Sequence, residues 1–451
     1  MQLFTHLLAE RQASGNPIRC AVIGAGKFGG GLIVQLAQCP GIEAAVVADI
    51  DTERARAVFA SCGLGERVMV ADSAAAIVDA ISAGRLAITA DPLLAAASDA
   101  VDVIVDATGV PEAGALHAVT AIDAGHHIVM VNVEADVTVG AALRRRADAA
   151  GVVYTLVDGD QPGCTMHMIE WARTLGFSIV AAGRGTIYYA TDRDGTPDTV
   201  QERFGFSDEV MRRRTINTKM YNSFRDGTKA QVEMTALANM TGLPPDVRGM
   251  HEPSVNLEDV PRQFSLQHEG GLLGRSGVVE LANSIATDGQ TTLPNPLNMG
   301  VFCVIRAEHP FIMEDLAGYG CHTGGDGHNL LLWRPYHLVA VEAPLSIAAA
   351  VLYGRPTGAP LPEPTADTIA VAKRDLQVGE TIDGGGGYTV NGVIEKAAVS
   401  QQERLLPLGL SDGATLTANV ARGRAVRYAD VELPGDSLLR QLRREQGDAA
   451  A

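Results

Sequence analysis

In the first third of the chain, apolar residues come in short runs: Ile18–Ile23, Glu43–Ala48, Arg67–Ala71, Val101–Asp106, His127–Val131 and Val152–Val157, with Ala-rich helical stretches between them. Val103-Ile-Val-Asp-Ala and Ile128-Val-Met-Val show almost no polar alternation. Runs of that kind predict strands buried on both faces. Strands alternating with helices predict the α/β class, here a doubly wound parallel sheet of the Rossmann type over residues 1–158, preceded by one short polar helix. After Gly159 the pattern turns to mixed strands, long loops and one clear helix, Asp226–Thr241, which defines an α+β domain over 159–355. A helix near Leu345–Tyr353 ends at Gly354, and the four prolines between Pro356 and Pro364 predict a linker over 356–367. A small β-rich module follows over 368–434, and a charged helix with a disordered end over 435–451.

The first apolar run ends in Gly24-Ala-Gly-Lys-Phe-Gly29. A strand that delivers the chain to a turn too tight for side chains, and then to a helix N-terminus, brings backbone N–H groups and a positive dipole end to a pyrophosphate. The second run closes on Asp49, 20 positions after Gly29, where an acid hydrogen-bonds an adenosine ribose. Arg54 and Arg56 follow it and would accept a 2′-phosphate, so the pattern leaves NADH and NADPH both open. The cofactor residues expected on this basis are Gly24, Gly26, Lys27, Phe28, Gly29, Asp49 and Arg54, with Thr108, Gly109 and Asn132 at the strand ends where a nicotinamide ring would rest.

Length and composition set the frame for that turn. A chain of 451 residues with 46% hydrophobic and 20% charged residues is expected to fold as several globular domains. A net charge of −17 argues against nucleic acid or an anionic membrane surface as partner. The short basic runs Arg144–Arg146 and Arg212–Arg214 read as solvated faces. The six cysteines form no Cys-x-x-Cys pair, so neither a zinc module nor a disulfide framework is expected. Met1 to Leu8 lacks the basic start and long apolar stretch of a secretory leader, and no segment reaches the length of a bilayer span, which together predict a cytoplasmic protein.

Further motifs carry a resemblance. They are Gly24–Gly29, His127-Ile-Val-Met-Val-Asn-Val-Glu-Ala-Asp136, Gly159-Asp-Gln-Pro162, Asn222-Ser-Phe-Arg-Asp-Gly-Thr-Lys229, and two similar half-sites at Val371–Ile382 and Leu416–Val431. The half-sites, with Lys373-Arg-Asp-Leu, resemble an SAF domain of the β-clip type. The first two-thirds is similar to homoserine dehydrogenases and, more closely, to the 1-deoxy-D-xylulose 5-phosphate reductoisomerase-like enzymes, which join such a core to an SAF domain. The resemblance implies an NAD(P)H-dependent oxidoreductase, with 159–355 as a homoserine-dehydrogenase-like catalytic and dimerisation domain in a homodimer or higher homo-oligomer. Its substrate would be a small phosphorylated hydroxy-carbonyl compound, reduced with or without a preceding rearrangement of the carbon skeleton. A homoserine-type or sugar-acid dehydrogenase without rearrangement, and a dinucleotide sensor without catalysis, are the alternatives.

On a helix starting near Asp226, Asp226, Lys229 and Glu233 lie within about 60° of one another. That stripe reads either as an active-site wall or as an exposed Lys229–Glu233 pair. The resemblance favours the first, with Lys229 moving a proton at the reacting oxygen. Glu134 stands where homoserine dehydrogenases place a lysine, a reversed charge that suits a proton or a divalent cation such as Mg²⁺ or Mn²⁺. Glu134, Asp160 and Glu233 are the carboxylates nearest that role. For an anionic substrate the candidate contacts are Arg184, Arg275, Asn222, Ser223 and Thr228, with Lys219 and His322 as further cations on loops or edges.

Overall fold

The computed structural model describes residues 4–214, 216–323, 329–448 and 451. Met1–Leu3 of the leader reading, Thr215, Gly324–His328, Ala449 and Ala450 of the tail, and the side chains of Arg213, Arg214 and Ala317 lie outside the described residues. The chain forms two compact units. One comprises 1–163, 338–362 and 437–446, and the other 164–337, 363–436 and 447–451.

The first unit is built on seven strands: β1 (Ile18–Ile23), β2 (Ile42–Ala48), β3 (Val68–Val70), β4 (Leu86–Thr89), β5 (Val103–Asp106), β6 (His127–Met130) and β7 (Tyr154–Leu156). They pair in parallel in the order β3-β4-β2-β1-β5-β6-β7. The order reverses between β1 and β5, the switch point at whose carboxyl edge doubly wound sheets hold ligands. The run Leu86-Ala-Ile-Thr89, absent from the expected strands, forms β4 between β3 and β2. Four apolar residues carry no periodicity that separates strand from helix, and the gap in the sheet decides.

Two later helices join this unit. Ala343 and Ile347 of helix Ala343–Tyr353 enter the same core as β1 and β5. Helix Leu438–Glu445 is fixed by the Glu112 carboxylate, which accepts from the Leu438 and Leu439 amides at 2.9 and 3.1 Å, and by an Arg146–Glu445 pair at 2.7 Å. The expected domains run consecutively along the chain, whereas these units interleave. Periodicity marks a helix but not the core it covers. Among the described residues no helix is long and apolar enough to cross a membrane.

The second unit holds a mixed sheet of β8 (Ser178–Thr186), β9 (Val278–Asn283), β10 (Val301–Arg306), β11 (His322–Thr323) and β12 (Leu330–Arg334), in the order β11-β12-β10-β8-β9. It also holds two antiparallel pairs, β13 (Ala366–Ala372) with β14 (Val390–Lys396) and β15 (Thr415–Leu416) with β16 (Val431–Glu432). The two half-sites lie against each other, with Leu376 and Val420 exchanging backbone bonds at 2.9 and 3.0 Å. Helix Thr228–Thr241, expected to bury only a stripe, is buried at every position except Lys229 and packs on β8, β9, β13 and β14. A helix covered on all sides must pair its polar side chains, and that requirement shapes the second half of the site.

Candidate functional site

At the end of β1, Gly24 has φ +96°, and a Cβ on Gly29 would stand 1.8 Å from the Gly24 carbonyl oxygen, so the turn closes only with glycine at both. Gly26 is the N-cap of helix Lys27–Leu36, has no side-chain cap, and a Cβ there would meet nothing within 4 Å. Open space before an uncapped helix N-terminus fits the pyrophosphate of a dinucleotide. Lys27 is exposed beside it, and Phe28 packs on the core of the unit. Asp49, 8% exposed, accepts from the Ala25 amide at 2.7 Å and the Asp51 amide at 2.8 Å, which ties the acid to the glycine turn. Arg54 stands 3.7 Å from Asp49 and 3.5 Å from Asp51, and Arg56 stands 3.5 Å from Glu53. Both arginines therefore already face carboxylates.

Across the switch point, buried Asp106 accepts from the Thr108 hydroxyl at 2.8 Å and lies 3.0 Å from His117 Nδ1. The Asn132 amide donates to Thr108 Oγ1 at 3.2 Å and to the Val110 carbonyl at 2.9 Å, and its oxygen caps the next helix by accepting from Ala135 at 3.0 Å. Gly114 makes room for this packing, since a Cβ there would come within 2.4 Å of Asn132 Nδ2. Thr108 and Asn132 thus set the backbone course at exposed Gly109. Sequence reasoning placed Asp106 at the end of its strand, beside the position expected for the nicotinamide, but missed His117 as its partner. The signal was a lone acid closing an otherwise apolar strand. Glu134 is half-buried in the first turn of helix Val133–Ala150. Asp160, also half-buried, accepts from the Gln161 amide at 3.0 Å and lines a crevice with Met130, Val131, Val133, Leu156 and Pro162 at the ends of β6 and β7.

In the second unit the stripe predicted from Asp226 is broken. Asp226 is the C-cap of helix Thr218–Arg225, and Gly227 at φ +89° separates it from the helix that starts at Thr228. Its fully buried carboxylate accepts from Lys373 Nζ at 2.6 Å and the Thr228 amide at 2.9 Å. Asn222, also fully buried, donates to the Gly195 and Gly386 carbonyls at 2.9 Å each, and Thr228 Oγ1 accepts from the Gly392 amide at 3.0 Å. Asp226, Asn222 and Thr228, read above as catalytic or substrate contacts, are therefore engaged in a buried network with the β-rich module. Ser223 donates to the Met220 carbonyl at 2.6 Å.

Arg184 and Glu233 form a buried ion pair with each other. Glu233, read above as a carboxylate for a proton or a cation, thus has a buried guanidinium as a partner. Among the described residues no group of three or more His, Cys, Asp and Glu side chains is placed to hold a metal ion, so no step is assigned to one. Lys229 is half-buried in the first helical turn. Arg275 and His322 are exposed, and Lys219 lies 3.6 Å from Asp412.

A further polar belt surrounds the same helix. Gln231 donates to Glu252 at 2.7 Å, Glu252 pairs with Arg193, and the Arg193 guanidinium lies 5.5 Å from the Tyr188 ring centroid. Burial pushes the Glu252 carboxyl and the Tyr188 phenol up. His251 lies 2.6 Å from buried Glu280, and that hydrogen bond raises its imidazole above the ordinary value. Met250 and Glu252, on either side of it, have φ of +66° and +50°, a backbone held in a costly region by its bonds. The signal for Glu280 was one acid inside the apolar run Val278-Val-Glu-Leu-Ala282, which needs a buried partner. Nothing local in the sequence names that partner as His251.

Residues 159–343 match the family model described as oxidoreductase DRL, catalytic domain. No curated protein matches the chain. Among solved structures, the chain is similar to a probable dehydrogenase from Thermotoga maritima, at 11% identity and a TM-score of 0.39 over 75% of this chain and 90% of that one. It is also similar to GenD2 from gentamicin A biosynthesis in complex with NAD, at 14% identity and a TM-score of 0.36 over 75% and 88%. A myo-inositol dehydrogenase from Lactobacillus casei in complex with NAD(H) and myo-inositol matches at 15% identity and a TM-score of 0.27 over 41% and 50%. The glycine turn thus precedes, in the same chain, a segment that matches an oxidoreductase catalytic domain.

Proposed function

We propose that this protein is an NAD(P)H-dependent reductase of a small anionic hydroxy-carbonyl compound. The observation that carries the reading is the uncapped helix N-terminus behind Gly24–Gly29, in the same chain as an oxidoreductase-type catalytic domain. A bound nicotinamide would supply the hydride. Ala25, Gly26 and the first turn of helix Lys27–Leu36 would hold the pyrophosphate, and Asp49 the ribose. Asp106, Thr108 and Asn132 would keep the backbone at Gly109 in place beneath the ring. Lys229 would donate the proton to the carbonyl oxygen, a role that places about 10²–10⁴ of the rate on one side chain. Glu134 and Asp160 are the acids proposed to meet the substrate's hydroxyl groups. A phosphate on the substrate and a rearrangement before reduction form the finer part of the reading, which the resemblance to reductoisomerase-like enzymes motivates.

The test is a screen of sugar phosphates and keto acids for NADH and NADPH oxidation, with product masses to separate reduction from rearrangement. For the substrate found, Lys229→Met is expected to lower kcat by about 100-fold or more while leaving NAD(P)H binding, followed by nicotinamide fluorescence, unchanged. Wild-type turnover by Lys229→Met would remove the assigned proton donor.

A further inference from the structure

The loop Asp192–Thr199 contains two single-turn helices, Gly195 and Pro197, and only Asp192 and Gly195 of its residues are buried. It has no apolar anchor of its own. Polar side chains hold it instead: Asn222 at Gly195, Arg203 at Asp192 and Glu252 at Arg193 from the same domain, and four side chains of the β-rich module. Lys373 Nζ donates to the Gly195 carbonyl at 2.9 Å, Asn391 Nδ2 to the Arg193 carbonyl at 3.1 Å, Tyr388 Oη to Asp198 at 2.8 Å, and Arg422 to Asp194 at 2.8 Å. Lys373 has two more bonds, to the Gly387 carbonyl at 2.8 Å and to Asp226 at 2.6 Å, so all three ammonium protons are used. Asp226 passes that contact on, because its other oxygen accepts the Thr228 amide that opens the helix bearing Lys229.

We infer that Lys373 is a positioning residue, and that through it the β-rich module sets the backbone on which Lys229 acts. This rests on the reading of Lys229 as the proton donor. A buried ammonium with three fixed acceptors has one orientation, so the loop at Gly195 and the helix start at Thr228 are held at one spacing. Replacing it with an apolar chain of similar length leaves Asp226 charged and unpaired. The double substitution Lys373→Met/Asp226→Asn removes that charge and still does not reconnect Gly195 to Gly387.

Three variants test the idea: Lys373→Met, the double variant, and Tyr388→Phe, which removes one exposed hydroxyl and leaves the core intact. Lys373→Met is expected to lower kcat 10- to 100-fold with the Kd for NAD(P)H unchanged, and to speed hydrogen exchange of the Gly195 and Thr228 amides at least tenfold. In the double variant the melting temperature should recover while kcat and the Gly195 exchange rate do not. A role limited to stability would restore all three together. Tyr388→Phe should speed exchange in 192–199 and lower kcat a few-fold. The proposal is overturned if Lys373→Met, or Tyr388→Phe should the first not fold, leaves both kcat and exchange at wild-type values. If Lys229→Met retains activity while Lys373→Met still frees the loop, the proton-donor reading fails and the clamp itself stands.

Discussion

Asp136 gives the sharpest test of the first unit. It lies in helix Val133–Ala150 with 2% exposure, one oxygen accepting from the Tyr154 hydroxyl at 2.9 Å and the other without a partner. Burial pushes its carboxyl from the ordinary 3.8 to about 7, and the bond from Tyr154 offsets only part of that. The native state therefore keeps this proton over about three pH units in which the unfolded chain has lost it. Stability from this group is full below about pH 4 and falls as pH rises, by about 1.4 kcal/mol per unit, until the folded value is passed. The total is about 4 kcal/mol, to order of magnitude, for the shift from 3.8 to about 7.

Asp136→Asn keeps the shape and the acceptor for Tyr154 but does not titrate. The stability of the variant relative to wild type should therefore rise by about 4 kcal/mol between about pH 4 and pH 8. Urea unfolding of both proteins at five or so pH values across that range measures it. Other titrating groups are common to the two proteins and cancel. Parallel curves, with a difference changing by less than about 1 kcal/mol, would refute the argument.

Two further outcomes are expected. Gly29→Ala places a methyl 1.8 Å from the Gly24 carbonyl oxygen, so the turn must open. NADH titration should show affinity at least about tenfold weaker, and an unchanged Kd would contradict a pyrophosphate at this turn. Arg184→Met removes the guanidinium that pairs with buried Glu233 and should cost about 3–5 kcal/mol in chemical denaturation, most of it recovered when Glu233→Gln is added.

The glycine turn, the buried strands and the acid closing β2 were legible because local physics imposes them. A backbone turn that excludes Cβ must read as glycine, and strands covered on both faces must read as apolar runs. Strand β4 was not legible, since four apolar residues acquire a register only from the neighbours on either side. Nor was the assignment of helices Ala343–Tyr353 and Leu438–Glu445 to the first unit, which depends on where the chain returns. The site divides the same way. Asp49 could be placed by counting from Gly29. Asp226, Asn222 and Glu233 were visible as chemistry on one segment, but their partners Lys373, Gly386 and Arg184 lie between 49 and 164 residues away. A sequence states which groups are costly to bury. Only the tertiary structure decides which distant group relieves that cost, and so which of them remain for a substrate.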